Sequence, residues 1–71
     1  MKYIVANKEL ARISLRIDLR ARRQSTDGRV MLNAKDLDSM EGEYADKLAA
    51  LSAEELTQQE AINELNKEVW R

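Results

Sequence analysis

Six arginines fall between positions 12 and 29: Arg12, Arg16, Arg20, Arg22, Arg23 and Arg29. A guanidinium is planar, stays charged at any relevant pH, and presents a fork of donors that matches phosphate or carboxylate oxygens. Its chemistry is recognition. Little else in the chain could do catalysis. With no cysteine and no histidine, there is no thiolate nucleophile, no disulfide, no imidazole base and no His or Cys metal ligand. The serines therefore lack their usual base. Asp36, Asp38, Glu41 and Glu43 form an acidic run, but an EF-hand loop needs an oxygen ligand where Met40 stands and glycine where Glu41 stands. Gly28 and Gly42 are the two glycines, too few for a phosphate-cradling loop. The expectation is a non-enzyme that holds no cofactor and no metal.

The arginines must be positioned by the stretch Ala11 to Arg23. Ala11, Ile13, Leu15, Ile17, Leu19 and Ala21 alternate there with Arg12, Ser14, Arg16, Asp18, Arg20 and Arg22. Apolar residues at period two predict a half-buried strand with a basic outer face. Lys2 to Ala6 is rich in strand formers, and Asn7-Lys8 as a two-residue turn would pair Ile4 with Ala11. Asp27-Gly28 is a strong hairpin signal. As a two-residue turn it would set Val30 opposite Ser25 and Leu32 opposite Arg23, returning the chain along Arg29 to Asn33. A three-residue loop without a bulge would break that parity.

Past Asn33 the period lengthens. Leu37, Met40, Tyr44, Leu48 and Leu51 make one helical stripe, with Asn33 as cap and Asp36 in the first turn. Gly42 lies off the stripe and can split the helix. A second helix has two candidate starts, Ser52-x-x-Glu55 and Thr57-x-x-Glu60, of which the Thr57 capping box is preferred. Its stripe is Ala61, Ile62, Leu65 and Val69, and Trp70 closes the edge of a small core.

The fold class expected is α+β, a three-stranded antiparallel meander with a long central strand over residues 11–23 and an Asp-Gly hairpin, followed by two C-terminal helices on its apolar face. The rival is an all-α chain with residues 8–23 helical, since Leu10, Ile13, Ile17 and Ala21 also share a helical face. Seventy-one residues make a single small domain. Residues 1–33 form its basic β-rich part, with eight Lys/Arg against three Asp/Glu, and residues 34–71 its acidic helical part, with four against ten. The two halves can pack on each other and neutralise, or the basic half can face a partner.

No apolar run approaches the roughly 20 residues of a membrane span, and a cytoplasmic protein with no membrane partner is the default. A chain this short is marginally stable alone, which favours a homo-oligomer. The long strand offers a route. Its middle, Leu15, Ile17, Asp18 and Leu19, would be a bare edge for an antiparallel dimer centred on Ile17, so that Asp18 meets Arg16. The function expected is thus a small non-catalytic interaction module, self-associating through the long strand or apolar face. The alternative is a nucleic-acid-binding accessory protein using the arginine face of residues 12–29. No aromatic residue lies among those arginines for base stacking, and the isoelectric point is acidic, near 5.4, so an acidic protein partner is weighed beside nucleic acid.

Overall fold

A computed structural model describes residues 2–70. The chain opens with strand β1, Tyr3–Asn7, which passes without a loop into helix α1, Lys8–Ser14. Asn7 is no turn residue. It caps α1, its side-chain oxygen accepting the Leu10 N–H at 3.0 Å, and Glu9 occupies the first turn. Leu10, Ala11 and Arg12 are good helix formers, so the cap commits them to a helix before any strand can start.

The long strand expected over 11–23 is therefore replaced. Ala11 to Ser14 belong to α1, and Leu15 leaves the helix with extended backbone. Leu19–Ala21 form one 3-10 turn capped by Asp18, whose carboxylate accepts the Arg20 N–H at 3.0 Å. The alternation does report something real between 15 and 19. Leu15 and Leu19 are buried, Ile17 is half-buried, and Arg16, Asp18 and Arg20 are exposed. It marks a segment lying on the core that bends at Ile17 and belongs to no strand. The all-α rival is corrected too, since helix covers only the first half of residues 8–23.

The hairpin at Asp27-Gly28 exists with a different loop. Ser25 N donates to Arg29 O at 2.8 Å and Met31 N to Arg23 O at 2.9 Å. Gln24 bridges Val30, so Val30 faces Gln24 and not Ser25. The loop has three residues, Thr26-Asp27-Gly28, with Gly28 at φ +88, the left-handed backbone that glycine tolerates and a three-residue hairpin requires.

Strand β2, Arg29–Asn33, then pairs antiparallel with β1 from Tyr3↔Asn33 to Asn7↔Arg29. Asn33 caps a 3-10 helix over Ala34–Ser39, and Gly42 at φ +103 separates it from helix α2, Tyr44–Ala50. The single stripe expected there is thus split, yet Leu37 and Leu51 reach the core, and Met40, Tyr44 and Leu48 pack against it. Strand β3, Glu54–Leu56, lies where Ser52-x-x-Glu55 offers a helix start. It pairs with β1 from Tyr3↔Leu56 to Val5↔Glu54. Ser52 does not start a helix but stands at φ 48 in the turn before β3. Helix α3, Gln58–Leu65, begins at the Thr57 capping box as expected, with both reciprocal hydrogen bonds present.

The α+β class and the three-stranded antiparallel sheet stand; the meander does not. The order is β2-β1-β3, with the first strand in the middle and its partners drawn from both halves of the chain. Both sheet faces are covered. Ile4, Ala6, Val30 and Leu32 pack with Ala11, Leu15, Leu19, Leu37 and Leu51 on one side. Val5 and Met31 meet Trp70 on the other, with Tyr3, Leu56, Leu65 and Val69 around them.

Leu51 is fully buried, whereas Ile13 is 67% exposed. Urea denaturation should place Leu51→Ala about 2–5 kcal/mol below the unmutated protein, with Ile13→Ala within about 0.5 kcal/mol of it. Equal costs would mean that α1 packs on a different face.

Candidate basic groove

The structure disperses the six arginines. Arg22 meets Asp36 as a two-pronged pair, Nε to Oδ2 at 2.9 Å and a terminal nitrogen to Oδ1 at 2.7 Å. The Asp36 side chain is 7% exposed and also accepts the Asn33 N–H at 3.1 Å. Arg29 pairs with Asp27 at 2.9 Å and Glu64 at 2.8 Å, and lies 5.4 Å from the centre of the Trp70 ring. Arg12 is held by Glu9 one turn earlier on α1, and Arg20 by Asp18 at 3.1 Å. Arg16 and Arg23 are exposed and have no carboxylate partner among the described residues. The single basic face expected from a strand does not form, because no strand aligns its members.

The expected dimer strand fails for the same reason. Leu15 and Leu19 are core residues, Asp18 is a cap, and none of Leu15, Ile17, Asp18 and Leu19 presents a strand edge. Both apolar faces of the sheet are covered by other parts of the same chain.

What the fold does assemble is a groove between α1 and the returning segment 17–26. One part, about 310 Å³, is lined by Lys8, Arg12, Ile17, Asp18, Leu19, Arg20 and Gln24. It runs into a wider, open basin of about 550 Å³ that shares Lys8, Arg20 and Gln24 and adds Arg22, Ser25 and Thr26. Lys8 and Arg12 stand four apart on α1 and so share a helix face. Ile17 and Leu19 bring apolar surface to the narrower part, and the Gln24 side-chain amide donates to Leu19 O at 2.8 Å, fixing one wall. Sequence reasoning found Arg12, Arg20 and Arg22 but missed Lys8, whose place depends on α1.

Four cations line the groove, and acids answer three of them: Glu9 on Arg12, Asp18 on Arg20, Asp36 on Arg22. Lys8 has no carboxylate partner among the described residues, and Arg20, with a side chain 90% exposed, binds Asp18 through Nε, leaving its terminal nitrogens without a hydrogen bond. The groove can therefore offer two sets of donors to an anion without breaking a buried pair.

The acidic run from Asp36 to Glu43 is not gathered at a point. Asp36 turns to Arg22, while Asp38, Glu41 and Glu43 are exposed, and no cluster of three or more metal-ligating side chains occurs among the described residues. Tyr44 is half-buried as expected of a core-edge residue. Its hydroxyl is enclosed without a hydrogen-bond partner, and burial, then the nearby Glu55 carboxylate, push the phenol up. No helix among the described residues is long and apolar enough to cross a membrane.

Comparison of the chain with protein-family models, curated proteins and solved structures found no match. The groove is read from its own geometry.

Several carboxylates are held below their usual range. Hydrogen bonds from Arg22 do this for Asp36, from Arg29 for Asp27, from Arg20 for Asp18, from Arg12 for Glu9, and from Lys67 for Glu64. Each is more readily ionised folded than unfolded. The stability they contribute is fully present above the unfolded value, about pH 4, and is lost as pH falls through the lower folded values. Denaturation followed from neutral pH down to about pH 2 should show that loss. Asp36→Asn should shallow the acid limb and lower stability at neutral pH by about 1.5–3 kcal/mol, the scale of a charged hydrogen bond left unmade. An unchanged acid limb would mean that the Asp36 carboxylate is not an ionised partner of Arg22.

Proposed function

We propose that this protein is a non-catalytic interaction module that binds an acidic segment of a partner protein in the basic groove. The observation that carries the reading is two sets of donors facing one concavity: the Lys8 ammonium, without a carboxylate partner among the described residues, and the terminal nitrogens of Arg20, which binds Asp18 through Nε alone. Such a site suits a ligand with a few carboxylates. A nucleic-acid backbone asks for more. It would meet four groove cations against three resident acids, and no aromatic side chain lines the groove to stack on a base.

The absence of cysteine and histidine from the chain supports a role without chemistry of its own. Self-association is supported by a different contact from the one first expected. Asp38, Glu41, Glu43 and Asp46 are exposed, and a second copy could present them to the groove by charge complementarity.

The test uses poly-L-glutamate and a mixed-sequence DNA duplex as probes, with binding followed by titration calorimetry. Polyglutamate should bind, and the double variant Lys8→Glu, Arg20→Glu should lose that binding with a cooperative urea transition retained, its midpoint lowered only by loss of the exposed Arg20–Asp18 pair. Between about 50 and 300 mM salt the affinity should fall gently, since few counterions are released. DNA binding with a steep salt slope, lost in the same variant, would replace the protein partner with nucleic acid. Binding that survives the double variant would remove the groove from the account. Sedimentation of the unmutated protein reads self-association directly.

A further inference from the structure

The narrower end of the groove carries more information than its charge. Ile17 and Leu19 give it apolar surface, and Lys8, Arg12 and Arg20 stand around them. Leu19 is a core residue, but Ile17 is half-buried and packs only partly against that core, leaving part of its side chain to the cleft. An aliphatic surface bordered by three cations and by Asp18, whose carboxylate accepts from Arg20 Nε, is a poor seat for a phosphate and a poor seat for a purely polar chain. Phosphate gains nothing from the isoleucine, and leaving the isoleucine wet forgoes the burial it offers.

Resting on the groove reading above, we propose that the occupant is an acidic-aliphatic peptide. One aliphatic side chain of the partner sits on Ile17, and flanking carboxylates reach the Lys8 ammonium and the terminal nitrogens of Arg20. At about 310 Å³ the cleft lies at the small end of ligand sites, so it accommodates a single anchor residue with its neighbours and not an extended helix face. Gln24 holds the wall by its bond to Leu19 O, and Asp18 pins Arg20 through Nε. The wall and the Arg20 Nε are therefore held before the ligand arrives, which limits part of the ordering cost of binding. Specificity is divided. The cations select for acid, and Ile17 selects for an aliphatic neighbour over a polar one.

Two synthetic peptides separate these roles, Glu-Glu-Leu-Glu-Glu and Glu-Glu-Gln-Glu-Glu, each blocked at both ends and titrated into the isotopically labelled full chain by NMR. The leucine peptide should shift the amides of Lys8, Arg12, Ile17, Leu19 and Gln24 and bind about tenfold more tightly than the glutamine peptide, as expected for burying one aliphatic side chain. Ile17→Ser should erase that difference. Lys8→Glu, which alters an exposed side chain, should weaken both peptides and preserve their ratio, so the inference does not rest on Ile17→Ser folding alone. Equal affinity for the two peptides at the groove would overturn the aliphatic anchor and leave the acidic-partner reading standing. No shift at the groove with either peptide would overturn both. A thymidine oligonucleotide that shifts the same amides and outcompetes the leucine peptide would also overturn the anchor, in favour of phosphate.

Discussion

The carboxylate of Asp36 sits where β2 gives way to the next turn, almost wholly out of water. An ionised carboxylate in that position is tolerated only if its oxygens are met. Arg22 meets both, and the Asn33 N–H meets one of them again. Satisfying Asp36 therefore requires the arginine-bearing segment to come back across the end of the sheet. That return creates the far wall of the groove, since Arg20, Arg22 and Gln24 line the basin from the same segment. One buried charge thus decides where an otherwise irregular stretch lies.

A second carboxylate does the same at the opposite end. Glu64, with its side chain 13% exposed, takes Arg29 at 2.8 Å and Lys67 at 2.8 Å, and accepts from the Trp70 indole at 3.4 Å. This cluster holds Trp70 against Val5 and Met31, where the tail also bonds to the hairpin loop through Thr26 N to Val69 O at 2.7 Å. The basic and acidic halves are joined at Arg22–Asp36, Arg29–Glu64 and Lys2–Glu55. Much of the charge asymmetry is spent inside the fold. What remains for a partner is Lys8, with the terminal nitrogens of Arg20 beyond its bond to Asp18, together with Arg16 and Arg23 elsewhere on the surface.

Much of this was legible before any coordinates. Lys2 to Ala6 reads as a strand from its run of Tyr, Ile and Val, Arg29 to Asn33 from the Asp-Gly hairpin signal before it, and Thr57 and Glu60 spell out a capping box. Gly42 announced the break before α2. The failures share one cause, a local signal with two physical meanings. Asn7 serves equally as turn or cap, and Glu9, Leu10 and Ala11 tip it to cap. The odd-numbered apolar residues from 11 to 21 fit a strand, yet they divide among a helix, a bent segment and a 3-10 turn, burying Ala11, Leu15 and Leu19 while Ile13 faces water. Glu54–Leu56 gave no strand signal, because its pairing with β1 is supplied by tertiary contact and not by propensity. Lys8 was invisible as a groove residue for the same reason. Its role is set by α1 lying beside the returning segment 17–26.

Amide hydrogen exchange in Asp36→Asn at neutral pH tests whether Asp36 holds the groove-forming segment in place. Faster exchange is expected at Ala21, Arg22 and Ser25, with protection retained along β1 and its partners Leu32 and Leu56. Unchanged protection from Leu15 to Ser25 would contradict it, and would mean that the segment is placed by Leu15 and Leu19 in the core without help from the buried charge.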